Sequence, residues 1–142
     1  MKGDYGVRAL IDLAQHYGQG PVQSAEIAQR QHIPEPYLDQ LLTTLRKAGF
    51  INSRRGPQGG HMLARDPKAI TFAEVITALE GSLAAVGCLD GSLDCSLTGV
   101  CGQQEVWGLI TQQVQQILEA HTIGDVAERQ QQLQSARVMY YI

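Results

Sequence analysis

The stretch Pro34-Glu35-Pro36-Tyr37-Leu38-Asp39-Gln40-Leu41-Leu42-Thr43-Thr44-Leu45-Arg46-Lys47-Ala48-Gly49, followed at once by Phe50-Ile51-Asn52-Ser53-Arg54-Arg55-Gly56-Pro57-Gln58-Gly59-Gly60-His61-Met62-Leu63-Ala64, decides the fold. Pro34 and Pro36 open a helix, where a missing N–H is harmless. Leu38, Leu41, Leu42 and Leu45 recur at helical spacing and form its inward face. Glu35, Tyr37, Asp39, Gln40, Thr43, Thr44, Arg46 and Lys47 are left facing outward. Two short strand-like runs around a Gly/Pro tip then read as a hairpin.

Working outward, Val7, Leu10, Ile11, Ala14 and Tyr17 share one side of a helix over 4–17, which Gly18-Gln19-Gly20-Pro21 stops. Ser24 is placed to cap a short second helix that buries Ile27 and Ala28 and ends near Gln31. Two short helices, a polar-faced helix and a basic hairpin make a winged helix-turn-helix. In that geometry the N-terminal end of the second motif helix enters the major groove, so the outward face of the helix from Pro34 is the natural reader. The expected fold is mostly α with a small β-wing, followed by a long dimerisation helix.

After Pro67, Thr71 caps a further helix carrying Phe72, Val75, Ile76 and Leu79 and ending at Gly81. Residues 81–102 hold five glycines and all three cysteines, Cys88, Cys95 and Cys101, which predicts a loop. A long helix from Gln103 to about Thr122 carries Trp107, Ile110, Val114, Ile117 and His121 at alternating spacings of three and four, a seam that a second chain would cover. Thr122-Ile123-Gly124-Asp125 starts a last short helix, and the Gln-rich tail from Gln130 is expected to be solvated. The chain divides into a DNA-binding winged domain over 1–81, a cysteine loop over 82–102 and a dimerisation segment over 103–142.

Composition narrows the class. The 142 residues are 44% hydrophobic and 18% charged, ordinary for one folded domain with an added helical element. No apolar run approaches the roughly 18 residues that span a bilayer, and the first 20 residues lack a secretory core, so a cytoplasmic location is expected. The net charge of −3 conceals a polarity. Residues 1–68 hold nine Lys or Arg against six acids, residues 69–142 only two against eight. One basic face on an acidic body is compatible with nucleic acid. An odd cysteine count argues against a disulfide framework. Thiolates favour iron–sulfur clusters, zinc or copper(I), but structural zinc prefers pairs two to four residues apart, and the gaps here are six and five. Free, reversibly oxidised thiols are the alternative. For an enzyme the nucleophile would need a neighbouring base, and the glycines of 56–60 match neither a dinucleotide fingerprint nor a P-loop. No catalytic role and no small-molecule substrate are assigned.

These residues resemble the IscR-like, Rrf-type winged-helix iron–sulfur regulators of bacteria. The matching motifs are Lys2-Gly3-x-Tyr5, Tyr37-Leu38-x-Gln40-Leu41, Leu45-Arg46-Lys47-x-Gly49, Arg55-Gly56-Pro57-x-Gly59-Gly60, Phe72-x-Glu74-Val75-Ile76, the three cysteines and Thr122-Ile123-Gly124-Asp125. The likeness runs along nearly the whole chain, which starts a few residues later than the family pattern. It implies a homodimer that binds a palindromic operator in double-stranded DNA, with repression tuned by a cluster: 2Fe-2S ahead of 4Fe-4S. Tyr37, Asp39 and Gln40 become base-edge readers, since Gln pairs with adenine and an acid accepts from cytosine N4, and Glu35 joins the DNA-binding set. Arg55 is assigned to the minor groove, and Arg46, Lys47, Arg54 and Lys68 to phosphates. Arg65 beside Asp66 reads as a surface pair.

Cys88, Cys95 and Cys101 would ligate the cluster. IscR-like members supply a histidine three residues after the last cysteine, where this chain has Gln104. Asp4 occupies the position from which nitric-oxide-sensing relatives reach across the dimer, so it becomes the fourth ligand, with Glu105 or Gln104 as local competitors or no protein ligand at all. The family also has Gly where this chain has His32 and an aromatic where it has His61. Histidine tolerates positive φ better than most residues, so His32 is compatible with the turn.

Overall fold

A computed structural model describes residues 2–141. It contains six helices and one two-stranded antiparallel sheet: α1 (Lys2–Gln15), α2 (Ser24–Gln31), α3 (Glu35–Lys47), β1 (Ile51–Arg54), β2 (Gly60–Leu63), α4 (Phe72–Glu80), α5 (Gly102–Glu119) and α6 (Ile123–Tyr141). This is the winged helix-turn-helix expected from 34–64.

The core gathers Leu10 and Leu13 of α1, Ile27 of α2, Leu38 and Leu45 of α3, Ile51 of the wing and Val75 of α4, all almost fully buried. The α2–α3 turn is made by His32 at φ 55°, ψ 48°, whose N–H is accepted by the Ala28 carbonyl. It is the only non-glycine residue with positive φ among those described.

The start of α2 differs from expectation. Ser24 is its first helical residue, and the cap position belongs to Gln23, whose side chain makes no capping bond. The cause lies in the wing: Val22 and His61 exchange both backbone hydrogen bonds, at 2.8 and 2.7 Å, and hold the chain extended up to the helix. Gly60 permits this approach, because a Cβ there would stand 2.5 Å from the Val22 carbonyl oxygen. Helix α1 begins earlier than the apolar pattern suggests, with Glu80 Oε1 accepting the Gly3 N–H at 2.7 Å. Tyr17, placed by spacing on its buried side, lies beyond the helix end and is 48% exposed.

Thr71 and Glu74 form a reciprocal capping box at the start of α4, as their spacing suggests. The expected dimerisation segment divides in two. Helix α5 contains no buried residue. Helix α6 packs against α1 and runs to Tyr141, so the last helix, expected to be short, takes in the Gln-rich tail, whose residues 131–140 are solvated as expected. Ile123 is wholly buried in the common core. Its N–H is accepted by Ile70 O, and the Phe72 N–H by His121 O. Gly124 lies so close to the Lys68 backbone nitrogen that a Cβ would approach it to 2.9 Å.

Candidate nucleic-acid interface and cysteine loop

The outward face of α3 is formed because the four leucines are drawn inward. Glu35, Asp39, Gln40, Thr43, Arg46 and Lys47 are exposed. Thr43 and Thr44 turn their hydroxyls back to the carbonyls of Asp39 and Gln40, leaving the latter two side chains outward. Tyr37 is the exception to the expected solvent-facing set. It is half-buried and meets the Tyr5 ring edge-on, with centroids 5.4 Å apart.

The wing carries Arg54 at the end of β1 and Arg55 at its tip, both exposed. Among the described residues, Arg46, Lys47, Arg54 and Arg55 make no ion pair, so four cations on α3 and the wing are free to meet an external anion. Lys68 is not one of this group: its Nζ donates to Asp125 Oδ1 at 2.6 Å and Glu128 Oε2 at 3.0 Å. Those two bonds raise the lysine pKa, and the lysine in turn lowers that of Asp125. Lys68 therefore fastens α6, a correction to its assignment to phosphates. Arg65 likewise pairs not with Asp66 but with Glu74, at 3.6 Å, while its guanidinium lies over the Phe50 ring. Asp66 is taken up in capping the Lys68 N–H.

Three interactions behind this surface escaped the sequence reading. Asp12, fully buried in α1, accepts from Arg30 Nε and Nη2 at 2.9 Å each and from Gln31 Nε2 at 3.1 Å. It thereby holds the last turn of α2, from which the chain enters α3. Arg8 donates to both carboxylate oxygens of Asp4, lies over Tyr5 and reaches Gln31 O. In the wing, Ser53 Oγ and His61 Nδ1 are 2.8 Å apart across the strands. A helical period marks Asp12 only as a polar residue on a buried face, which is the one signal that could have drawn notice.

The cysteines lie on an irregular loop containing one short helical turn at Gly87–Leu89. Cys88, Cys95 and Cys101 are free and half-buried. Gln104 bridges the loop, accepting from Gly99 N at 3.5 Å and pointing its amide at Cys88 Sγ, 4.0 Å away. Asp90, hydrogen-bonded by Ser82 and Ser92, has its pKa lowered to about 2. Three soft thiols on an unpaired loop suit a thiolate-bound cluster in donor chemistry. Among the described residues, however, no three His, Cys, Asp or Glu side chains converge as an ion site. Asp4, half-exposed and paired with Arg8, is not brought to the cysteines of its own chain. Trp107 Nε1 donates to Gln103, and Trp107, Ile110, Val114 and Ile117 are 37–59% exposed along α5.

Residues 1–129 match the model of a family described as Rrf2, iron-dependent transcriptional regulator. The HTH-type transcriptional regulator CymR of Bacillus subtilis is 35% identical over 139 residues, which cover 98% of this chain and 96% of CymR. The regulator IscR of Yersinia pseudotuberculosis is 37% identical over 135 residues, covering 95% of this chain and 82% of IscR. The solved structure of B. subtilis CymR, described as its global cysteine regulator, superposes with a TM-score of 0.79 at 35% identity, covering 91% of this chain and 95% of CymR. T. potens IscR gives 0.75 at 42% identity, covering 94% and 88%. No helix among the described residues is long and apolar enough to cross a membrane.

Proposed function

The chain belongs to the Rrf2 family of transcriptional regulators, and we propose that it binds a palindromic operator as a homodimer, reading bases with α3 and responding through the Cys88–Cys101 loop. It is a DNA-binding regulator, not an enzyme. The observation that carries the operator assignment is the exposed face of Asp39, Gln40, Arg46 and Lys47 beside the unpaired wing residues Arg54 and Arg55. Bases are met by Asp39 and Gln40, with Glu35 and Tyr37 at the entrance of the helix. Arg46, Lys47 and Arg54 neutralise phosphates, and Arg55 enters a narrow minor groove. The bare apolar stripe of α5 supports the dimer, since no segment among the described residues covers it.

Cys88, Cys95 and Cys101 are proposed to hold an iron–sulfur cluster, completed by Asp4 of a second chain. Such a group would supply a site whose occupancy or oxidation reports iron, redox state or nitric oxide. The Asp4 carboxylate, paired with Arg8, is 53% exposed and so accessible to a second chain. A cluster-free thiol sensor is the second reading. It is favoured by the unconverged cysteines and by the likeness to CymR.

The two readings separate on anaerobic preparation. With a cluster the protein is brown, absorbing broadly between roughly 300 and 500 nm, and each of Cys88→Ala, Cys95→Ala and Cys101→Ala removes most of the colour and iron. Colourless, iron-free anaerobic protein whose operator affinity still changes on thiol oxidation establishes the second reading. Asp4→Ala makes the cluster labile in a dimer that stays folded. Loss with Gln104→Ala or Glu105→Ala, but not with Asp4→Ala, would reassign the fourth ligand.

A further inference from the structure

The imidazole of the wing histidine has no part in the functional assignment above. His61 stands opposite Ser53 in the β1–β2 register, and its backbone is fixed on the other side by Val22. His61 lines an open groove of about 380 Å³ shared by three elements: the start of α2 at Ser24, the start of α3 at Glu35, and the wing at Gly56 and Gly60. Bound DNA reaching both α3 and the wing must pass over this groove.

Nδ1 is taken up by the Ser53 hydroxyl at 2.8 Å. The other ring nitrogen has no protein partner among the described residues. A neutral imidazole satisfies Ser53 with either tautomer, whereas the cation donates from both nitrogens and needs an external acceptor. The charges acting on the ring come from α3, where Asp39 favours the cation and Arg46 opposes it. Glu35 lines the groove, and Ser53 of β1 and Ser24 of α2 are neutral. Burial outweighs Asp39, so the free protein keeps the ring uncharged below the usual histidine value.

We propose that His61 is a proton-linked DNA contact: a phosphate over the groove accepts from its second nitrogen, so that operator binding takes up a proton at each wing. This rests on α3 and the wing being the DNA-binding surface. The sign follows from linkage. Phosphate raises the ring's pKa in the complex above its value in the free protein, so the complex holds protons that the free protein lacks. Affinity then rises as pH falls from the bound-state to the free-state value, within the range of about pH 5 to 8 where histidines titrate.

The probe is the best duplex recovered by selection from a random library, titrated by fluorescence anisotropy from pH 8 to 5.5 at constant ionic strength. The proteins are wild type, His61→Phe and His61→Gln. At pH 8 all three bind within about twofold. By pH 6 wild type gains up to about a hundredfold more affinity than either variant, a factor of ten for one unit of pKa shift at each of the two wings. Calorimetry in buffers of different ionisation enthalpy shows the matching proton uptake for wild type, which keeps the test valid if a variant misfolds. Equal pH slopes in all three proteins, or a loss in the variants that is the same at every pH, overturns the role of His61 while leaving the DNA surface standing. Failure of wild type to enrich any duplex overturns both.

Discussion

Asp12 is the one charged residue in the buried set among the described residues, and it differs in exposure from its ion-pair partner Arg30. Its side chain has none, whereas that of Arg30 is 40% exposed. The pair is therefore asymmetric. Removing Arg30 strands a buried carboxylate, while neutralising Asp12 leaves a guanidinium that water can reach. Arg30→Met should cost about 3 kcal/mol, at the low end for breaking a buried pair because half of it is solvated. Asp12→Asn, which keeps one acceptor in place, should cost about 1 kcal/mol. Urea midpoints of the two variants check this order, and equal losses would mean that burial of the carboxylate is not the governing term. Individual residues of this kind were the least legible in the sequence. Asp12 and Arg30 lie 18 positions apart, and Tyr5 and Tyr37 lie 32 apart. No local period announces that they meet. Single positions with local consequences were legible: the αL turn at His32 and the Thr71 cap both follow from neighbours within four residues.

At the scale of elements, the winged motif was readable because each piece carries its own punctuation: prolines before α3, glycines around the wing, apolar periods of 3.6 inside. Of the last helix only the start was readable, not the length. Its Gln-rich run lacks an apolar period, yet glutamine is a good helix former and neither Gly nor Pro occurs after Gly124, so nothing stops α6 once it starts. Docking decides where it starts. Lys68 reaches Asp125 and Glu128, while Thr122 and Asp125 cap one another. The Lys68 bond and the Thr122 hydroxyl lower the Asp125 pKa. A carboxylate with a depressed folded value contributes stability that is present above the ordinary carboxylate value and is lost as pH falls through the folded one. Lys68, with its raised pKa, contributes below the ordinary lysine value and loses it only in alkali. The dock is accordingly strongest near neutrality. Melting temperatures of wild type should fall more steeply than those of Lys68→Ala between about pH 5 and 2. Parallel acid limbs would show that the pair does not hold the helix.

For the whole molecule, the charge polarity read from the sequence becomes spatial. Four unpaired cations sit on α3 and the wing, whereas the acidic half supplies the loop, α5 and the Lys68 partners. The seam spacing of α5 was also legible, but what covers it was not, because none of the described residues of this chain does so and the proposed cover is a second chain. A stripe of Trp107, Ile110, Val114 and Ile117 left 37–59% exposed to water is costly, and a two-fold contact buries it twice. Ile110→Glu should weaken self-association by about a hundredfold or more, since a charge would have to be buried without a partner. Sedimentation equilibrium measures it, and an unaltered dimer would place the interface elsewhere. The monomer so formed should also lose operator affinity, because each wing then acts alone.

The central claim is that α3 reads sequence while its basic neighbours read only charge. A salt titration of binding tests it most directly, with wild type, Gln40→Ala and Lys47→Ala each measured on the selected duplex and on a random one. Gln40→Ala should cost on the order of 1–3 kcal/mol on the selected duplex and far less on the random one, with the salt slope unchanged. Lys47→Ala should weaken both duplexes about equally and reduce the slope by about one unit. If Gln40→Ala loses affinity equally on both, and the two variants share one salt dependence, α3 is not the reader and the proposed mechanism fails at its central step.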